Sequence, residues 1–451
     1  MALAYYNKKI FLRKNRIRKS TLNVYLFIYL QLINIITGPD IILKFLGFKY
    51  DDVNEIGLGW FTTSVNLIFI VIAALVLCNN KVKSLQFIAK AKKIIIILLL
   101  TFFSAFLVLG KMYDQSVNLI FLTIGYFIKI CSLIVLFDKY DIEFSTTLLN
   151  VLKLLVIIML LYITFFFANG FSTTLLGRYQ SVFSQPNTLG QFSSLTIGVL
   201  FSDRLYGSSR KKANNLSFIF FLLIGIVFII ISQSFTNLLL IILILLMYYF
   251  YLLKNKILHF LLLTAIVLFA YFFYTNSKDL SILSFSNVTI NPSNFDRDLT
   301  LTGRTQIWRD VLDKVQLENN SLFGYGIGGF WGKTGSPSSK IDNALFMEIG
   351  QAHNGLIDLY IQYGLIGLTI FVCFLFNILN KLSKIKSNSK NVFLFNFFFV
   401  LFLFNNLVES SYLQPKNFLN VIFVLIVVYI LNSETSLRNR KYRLNRIDNS
   451  L

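Results

Sequence analysis

The feature that most constrains this chain is a series of long apolar blocks that contain few charges. Two examples are IIIILLLTFFSAFLVLG at 94–110 and SFIFFLLIGIVFIIIS at 217–232. A helix needs roughly 20 mainly apolar residues to cross the hydrocarbon core of a bilayer. Hydrophobic residues make up 56% of the chain, whereas soluble proteins have about 45–50% even when glycine is counted. The pattern predicts an all-α polytopic membrane protein.

The apolar blocks predict about twelve transmembrane helices and one large loop. The predicted spans are 22–37, 57–78, 94–110, 117–137, 148–169, 188–202, 216–231, 236–253, 257–274, 355–379, 391–408 and 417–432. They divide the chain into four parts, which are spans one to nine (1–274), a large extracytoplasmic loop (275–354), spans ten to twelve (355–432) and a basic tail (433–451).

Lysine and arginine are concentrated on alternate connections, which predicts the orientation. The N-terminal residues 1–21 have seven basic residues, the connection 79–93 has five and the connection 380–390 has four. Such connections lie on the cytoplasmic side, so both termini are predicted to be cytoplasmic and 275–354 to be outside. The connection 138–147 deviates, with one lysine and three acids. Because topology explains the net charge of +21, no nucleic-acid partner is predicted.

Two arginines lie on the predicted outer face. Arg178 precedes Pro186, which is expected to open the sixth span at its N-terminus. Arg304 lies in the first turn of a helix predicted within TLTGRTQIWRDVLDKV at 300–315, where the helix dipole disfavours a cation unless an anion is near. A snorkelling or solvated arginine is the alternative at each position. On the same helix, an apolar stripe is expected to pack inward; it comprises Ile307, Trp308, Val311, Leu312 and Val315.

Two further motifs lie on the same predicted face. The turn LFGYGIGGF at 322–330 contains Gly326 and Gly328, and glycine turns can expose N–H groups to an anion. QAHNG at 351–355 places His353 before an apolar helix that Asn354 or Gly355 would open. The positive end of that helix favours a neutral imidazole, which can accept a proton from a hydroxyl nucleophile. A histidine that only hydrogen-bonds is the alternative.

Two acids complete the candidate site. Asp358 lies one turn inside the predicted tenth span, where an acid is a functional candidate by default. A structural partner for polar groups of a neighbouring span is its alternative role. Glu409, at the outer end of the eleventh span, is expected to be an interfacial acid near water.

These motifs together resemble the family of O-antigen ligases and Wzy-type O-antigen and capsule polymerases. The resemblance rests on RYQSVFSQPN (178–187), GRTQIW (303–308), GYGIGG (324–329) and AHNGLIDLYIQYGLIG (352–367), in that order. It covers roughly 170–410 by motif and implies a GT-C-like fold with short helices in the outer loop. Two positions depart from the family pattern, since Phe235 stands where an arginine is often found and Gln362 where a glutamate is often found.

The resemblance implies a function as well as a fold. Such enzymes transfer a glycan from undecaprenyl diphosphate to a sugar hydroxyl outside the bacterial cytoplasmic membrane. It implies catalysis by His353, binding of the donor diphosphate by Arg178 and Arg304, and a possible substrate-site role for Asn187, Trp308, Gly326, Gly328, Asn354, Asp358 and Glu409. Arginine binds phosphate oxygens bidentately, so neither a metal nor a cofactor is expected. Attack from the face opposite the diphosphate would invert the anomeric carbon.

Three functions are weighed. A polymerase that joins lipid-linked repeat units of capsule, exopolysaccharide or O-antigen is preferred, with a chain-length regulator and a flippase as possible partners. A ligase that moves finished glycan onto a lipid A core or a protein is the second reading. A transporter is disfavoured, because the basic groups cluster on the predicted outer face and few charges lie inside the spans.

Overall fold

The computed structural model describes most of the predicted spans and part of the outer loop. The residues described are 23–37, 59–80, 114–140, 142–166, 179, 181–183, 185–206, 213–252, 302–331, 336–339, 341, 350–383, 390–410, 412 and 417–427. Within these ranges the regular secondary structure is helical and contains no β-strand.

Eleven helices lie in the described ranges. They are α1 (Asn23–Thr37), α2 (Gly59–Asn79), α3 (Asp114–Tyr140), α4 (Phe144–Phe166), α5 (Pro186–Tyr206), α6 (Ala213–Ile231), α7 (Phe235–Leu252), α8 (Thr302–Leu317), α9 (Gly355–Ser383), α10 (Lys390–Val408) and α11 (Phe418–Val427). All except α8 coincide with a predicted span, and α8 is the helix predicted in the outer loop. The predicted spans 94–110 and 257–274 lie outside the described residues.

Two of these helices are both long and apolar enough to cross a membrane. They are Phe144–Thr164 within α4 and Gly355–Asn380 within α9, and the other apolar stretches are shorter. This is consistent with a membrane protein. The number of twelve spans and the cytoplasmic placement of both termini stay predictions.

Helix α5 is the centre of the bundle and packs against α4, α6, α7 and α10. Its sequence is apolar on more than one face, and two of its hydroxyl side chains donate hydrogen bonds to backbone carbonyls of the same helix. Ser193 donates to the carbonyl of Leu189 at 2.8 Å, and Thr196 donates to that of Phe192 at 2.8 Å. These bonds satisfy the hydroxyls, so a helix with several polar residues can be buried.

A buried lysine connects the first three helices. Lys129 of α3 is 1% exposed, and its Nζ donates to Asn34 Oδ1 of α1 at 2.7 Å and to Asn66 Oδ1 of α2 at 3.0 Å. The ring of Tyr126 lies 5.0 Å from the same Nζ. A buried cation is costly unless its donors are satisfied, and the two amides supply acceptors from two other helices. The expectation of few charges within the spans did not anticipate this residue.

The described part of the outer loop has a small apolar core of its own. Helix α8 contributes four of the five residues of the predicted stripe, namely Ile307, Trp308, Val311 and Val315. The fifth assignment is wrong, because Leu312 is 39% exposed; it lies toward the edge of a stripe that is narrower than predicted.

The glycine turn of the loop docks onto a kink in α9. Gly364 has φ 64° and ψ −170°, which interrupts the helical geometry. The carbonyls of Ile361 and Gln362 before the kink accept from the amides of Tyr325 (2.8 Å) and Gly326 (2.9 Å). A Cβ at Gly364 would overlap the backbone of Leu322. Glycine at 364 is therefore what allows the loop to approach the helix this closely.

Candidate functional site

Three helix ends meet at one end of the bundle and form the candidate site. Helix α5 begins at Pro186 and α9 begins at Gly355, while α10 ends at Val408. The side chain of Asn187, the second residue of α5, donates from Nδ2 to Glu409 Oε1 at 2.8 Å. The prediction that Pro186 opens a helix at its N-terminus is confirmed. Motifs that are more than 200 residues apart in the chain thus come into contact.

His353 precedes α9 in a strained conformation. Its φ is 52°, a left-handed value that is uncommon for residues other than glycine. Asn354 follows it and caps the helix, because its Oδ1 accepts from the amides of Leu356 (3.0 Å) and Ile357 (3.2 Å). The prediction that His353 lies at a helix N-terminus is confirmed. Such strain is concentrated at functional sites, which makes His353 a candidate by geometry as well as by chemistry.

His353 and Glu409 form a contact that Gln351 shares. The Nδ1 atom of His353 lies 3.4 Å from Glu409 Oε2. The Nε2 atom of Gln351 lies 3.2 Å from the same His353 Nδ1 and 3.4 Å from the same Glu409 oxygen. The His353 side chain is 34% exposed and that of Glu409 is 12% exposed. The imidazole is therefore accessible, while the carboxylate next to it is largely enclosed.

The electrostatics of Glu409 follow from the helices around it. It comes directly after the C-terminal end of α10, where a helix dipole disfavours a carboxylate. The N-terminal ends of α5 and α9 lie against it and favour one, and the amides of Asn187 and Gln351 donate to it. Glu409 was expected to be an interfacial acid near water. It is instead a largely buried acid that contacts three polar side chains.

Asp358 holds the segment before His353 against α9. It is 2% exposed and accepts from the backbone amide of Ala352 at 3.2 and 3.1 Å, from Trp331 Nε1 at 2.7 Å and from the hydroxyl of Ser410. Its two oxygens thus receive donors from the outer loop, from the segment at 352 and from the end of α10. This favours the structural alternative for Asp358 over direct contact with a substrate.

Helix α8 is tied to the same segment through Trp308. The Nε1 atom of Trp308 donates to the carbonyl of Ala352 at 2.7 Å. Arg304, the third residue of α8, precedes Trp308 by one helical turn, a rise of about 6 Å. Trp308 is a packing and positioning residue rather than an exposed stacking surface, since it is 6% exposed.

Arg178 lies outside the described residues, but the residue after it is anchored near the site. The amide of Tyr179 donates to the carbonyl of Ile231 at the end of α6 at 3.2 Å. Phe183 lies against Phe418, the first residue of α11, at a ring distance of 6.4 Å. Burial raises the pKa of Tyr179 to about 12, so its phenol stays protonated at physiological pH.

Not all of the backbone N–H groups of the glycine turn are available to bind an anion, although the sequence had suggested that they are. The amide of Gly326 donates to Gln362 in α9, and that of Gly329 donates to Gly326 at 3.1 Å. Gly326 and Gly328 both have positive φ, of 82° and 69°. For Gly326 the anion-binding interpretation is replaced by a structural one, because its N–H holds the loop on the helix.

Sequence reasoning missed three residues that shape the site. Gln351 contacts both His353 and Glu409, whereas Trp331 and Ser410 donate to Asp358. The sequence predicted that Asp358 lies inside a span, and a buried carboxylate requires hydrogen-bond donors. The sequence did not identify which residues supply them. In the part of the chain that the structure describes, no group of three or more His, Cys, Asp or Glu side chains gathers as a metal site would require.

The fold and the site define a class of protein, namely a helical protein with apolar helices in which separate sequence motifs meet around a histidine. Residues 219–372 match the model of the family described as O-Antigen ligase. The match supports the relationship of this chain to the O-antigen ligase and polymerase family, and it confirms the resemblance that the motifs indicated. Family members are membrane-associated enzymes that transfer glycans. No curated protein matches the chain.

Proposed function

We propose that this protein is a polysaccharide polymerase of the cytoplasmic membrane. It joins oligosaccharide repeat units carried on undecaprenyl diphosphate, at the outer face of that membrane. The observation that carries the proposal is the convergence of Asn187, His353 and Glu409 at one end of the bundle. The family match over 219–372 includes His353 and supports glycan transfer.

The donor diphosphate is bound by Arg178 and Arg304. As the glycosyl bond breaks, negative charge builds up on the leaving diphosphate, and a guanidinium binds two phosphate oxygens at once. The anchoring of Tyr179 at the end of α6 and the contact of Trp308 with Ala352 support this role, because both arginines adjoin segments fixed near the site. Cations in a preorganised site supply the stabilisation that a metal would otherwise give.

His353 acts on the acceptor. Its imidazole accepts the proton of the acceptor sugar hydroxyl while the oxygen attacks the anomeric carbon from the face opposite the diphosphate, which inverts that carbon. The exposure of 34% and the position before α9 support this role, because a base needs access to its substrate. The transferred chain is then carried by the new lipid-linked unit.

A ligase is the second candidate, because the matched family is described as O-Antigen ligase. The same donor and histidine would serve, and the acceptor would be a lipid A core or a protein. A chain-length regulator and a flippase are the partners that we propose for the polymerase. The two activities differ in product, since a polymerase yields a ladder of lipid-linked chains and a ligase yields a conjugate of the acceptor.

Reconstitution with radiolabelled lipid-linked repeat units tests the proposal. Purified protein in proteoliposomes is expected to convert them into longer lipid-linked chains without any other acceptor. Product that appears only when a lipid A core or a protein is added would establish the ligase instead. No product with any acceptor, from well-folded protein, would contradict glycan transfer.

Variants in the same assay test the residues. Arg178→Ala and Arg304→Ala should each weaken a charge-assisted contact of roughly 1.5–3 kcal/mol, and lysine should restore only part of the rate. His353→Ala should lower the rate on the order of 10²–10⁴-fold. His353→Gln retains hydrogen bonding but no basicity, so a normal rate in that variant would reduce His353 to a structural residue.

A further inference from the structure

The contact between Glu409 and His353 has a chemical consequence for the imidazole. The carboxylate lies at Nδ1, and among the described residues no hydrogen bond joins Nε2, the ring nitrogen that is left to meet a substrate. A neutral imidazole carries its proton on only one of the two nitrogens, and the hydrogen bond made by one nitrogen decides which. The identity of the group at Nδ1 therefore decides whether Nε2 can accept a proton.

Two arrangements compete at Nδ1. In the first, Nδ1–H donates to Glu409 Oε2, and Gln351 donates its own N–H to the same carboxylate across 3.4 Å. In the second, Gln351 donates to an unprotonated Nδ1 across 3.2 Å, so Nε2 carries the proton. The second places two lone pairs, those of Nδ1 and Oε2, face to face at 3.4 Å beside a carboxylate that is only 12% exposed. The repulsion between these two lone pairs is poorly screened in so enclosed a place. The first arrangement, in which Nδ1–H donates to Glu409, is therefore favoured.

The carboxylate is itself held in place from the other side. Asn187 donates to Glu409 Oε1 at 2.8 Å, which leaves Oε2 for His353 and Gln351. The backbone amide of Glu409 donates to the carbonyl of Asn405 at 2.8 Å and fixes the start of the side chain. The proline–asparagine pair that opens α5 thus acts on the imidazole through Glu409.

We infer that Glu409 is a positioning residue that keeps the proton of His353 on Nδ1 and so presents Nε2 as the proton acceptor, with Asn187 fixing the carboxylate. This inference rests on the proposed function. In the step it serves, the acceptor O–H proton moves to Nε2, the acceptor oxygen bonds to the anomeric carbon, and the bond from that carbon to the diphosphate oxygen breaks with its electron pair. The Glu409 carboxylate balances the imidazolium charge until the proton passes to water.

The chain offers a direct spectroscopic test, because it has only two histidines. In a His259→Gln background, protein labelled with 15N-histidine gives the signals of His353 alone, and the shifts distinguish the two neutral tautomers. With Glu409 present we expect the Nδ1–H form. Glu409→Leu, which removes the carboxylate acceptor, should move the population toward the Nε2–H form. Asn187→Leu should move it in the same direction to a smaller extent.

A matched control separates this effect from the general loss of a carboxylate. Glu318 is an exposed acid of the outer loop that pairs with Lys314 at 2.6 Å. Glu318→Gln should leave the tautomer of His353 unchanged. An unchanged tautomer in Glu409→Leu as well, or an Nε2–H form already present with Glu409 intact, would overturn the inference.

Kinetics provide a second readout that a merely structural role would not move. Glu409→Gln should lower kcat at least tenfold, on the order of what a mispositioned base costs, with little change in KM. Wild-type kcat and KM in Glu409→Gln, together with an inactive His353→Ala, would refute the positioning role alone. Full activity in His353→Ala would instead refute the proposed function.

Discussion

At the residue scale, His353 and Asp358 lie five positions apart and have different environments. His353 is partly exposed in a left-handed backbone conformation, whereas Asp358 is enclosed by donors from three parts of the chain. The acid holds the segment at Ala352, and that segment carries the histidine. A polar residue that the sequence presents as a second site candidate thus serves to position the first.

Asp358→Asn should destabilise the protein. The amide that replaces one oxygen brings N–H groups toward the donors at Ala352, Trp331 or Ser410, so that a buried donor loses its acceptor. The expected loss is about 1–3 kcal/mol for each unsatisfied group, and thermal unfolding in detergent should report it. Asp313→Asn, at an exposed position on α8, is the matched control. Equal melting of both variants and of the wild type would contradict this account.

At the element scale, α9 is the helix that joins the loop to the bundle. Its N-terminus carries His353 and its kink at Gly364 receives the glycine turn. Beyond the kink, the amides of Leu365 and Ile366 donate to the carbonyls of Ser321 (2.8 Å) and Leu322 (3.2 Å). The loop therefore replaces the helical hydrogen bonds that the kink removes.

Gly364→Ala should break this docking. The backbone at 364 adopts a conformation that is essentially restricted to glycine and costs other residues about 1–3 kcal/mol, and the added Cβ would overlap the backbone of Leu322. Lower thermal stability and faster proteolysis of the outer loop are expected. In Gly350→Ala, where a Cβ meets nothing within 4 Å, both measurements should match the wild type. Wild-type behaviour of Gly364→Ala would show that the kink is not required for docking.

At the scale of the whole molecule, the ends of six helices lie on the same side of the bundle. Contacts there join the starts of α5, α9 and α11 and the ends of α6 and α10. Gly190, near the start of α5, lies against Ser234 and Asn237 at the start of α7. Within α5–α7 and within α9–α11, successive helices thus run antiparallel, as the alternation of basic connections predicts. Which side of a membrane this end faces is decided by the charges of the connections.

Cysteine labelling should establish the orientation. In a background without Cys78, Cys131 and Cys373, Gln316→Cys on the exposed face of α8 should react with an impermeant thiol reagent in intact cells. Ser387→Cys, in the basic connection 380–390, should react only after the cells are lysed. The reverse pattern would place the site in the cytoplasm and would contradict the proposed function.

The sequence by itself determined the helical class, the helix positions and the motifs, because apolar block length, capping residues and glycine are local signals. It predicted a helix N-terminus at Pro186, another at Asn354 or Gly355, and all four of the described buried residues of α8. Only the tertiary structure decided which polar groups meet. Glu409 pairs with both His353 and Asn187, donors from three parts of the chain enclose Asp358, and the Gly326 amide donates to α9. These contacts join segments that are apart in the chain, and no local pattern specifies which ends of packed helices come together.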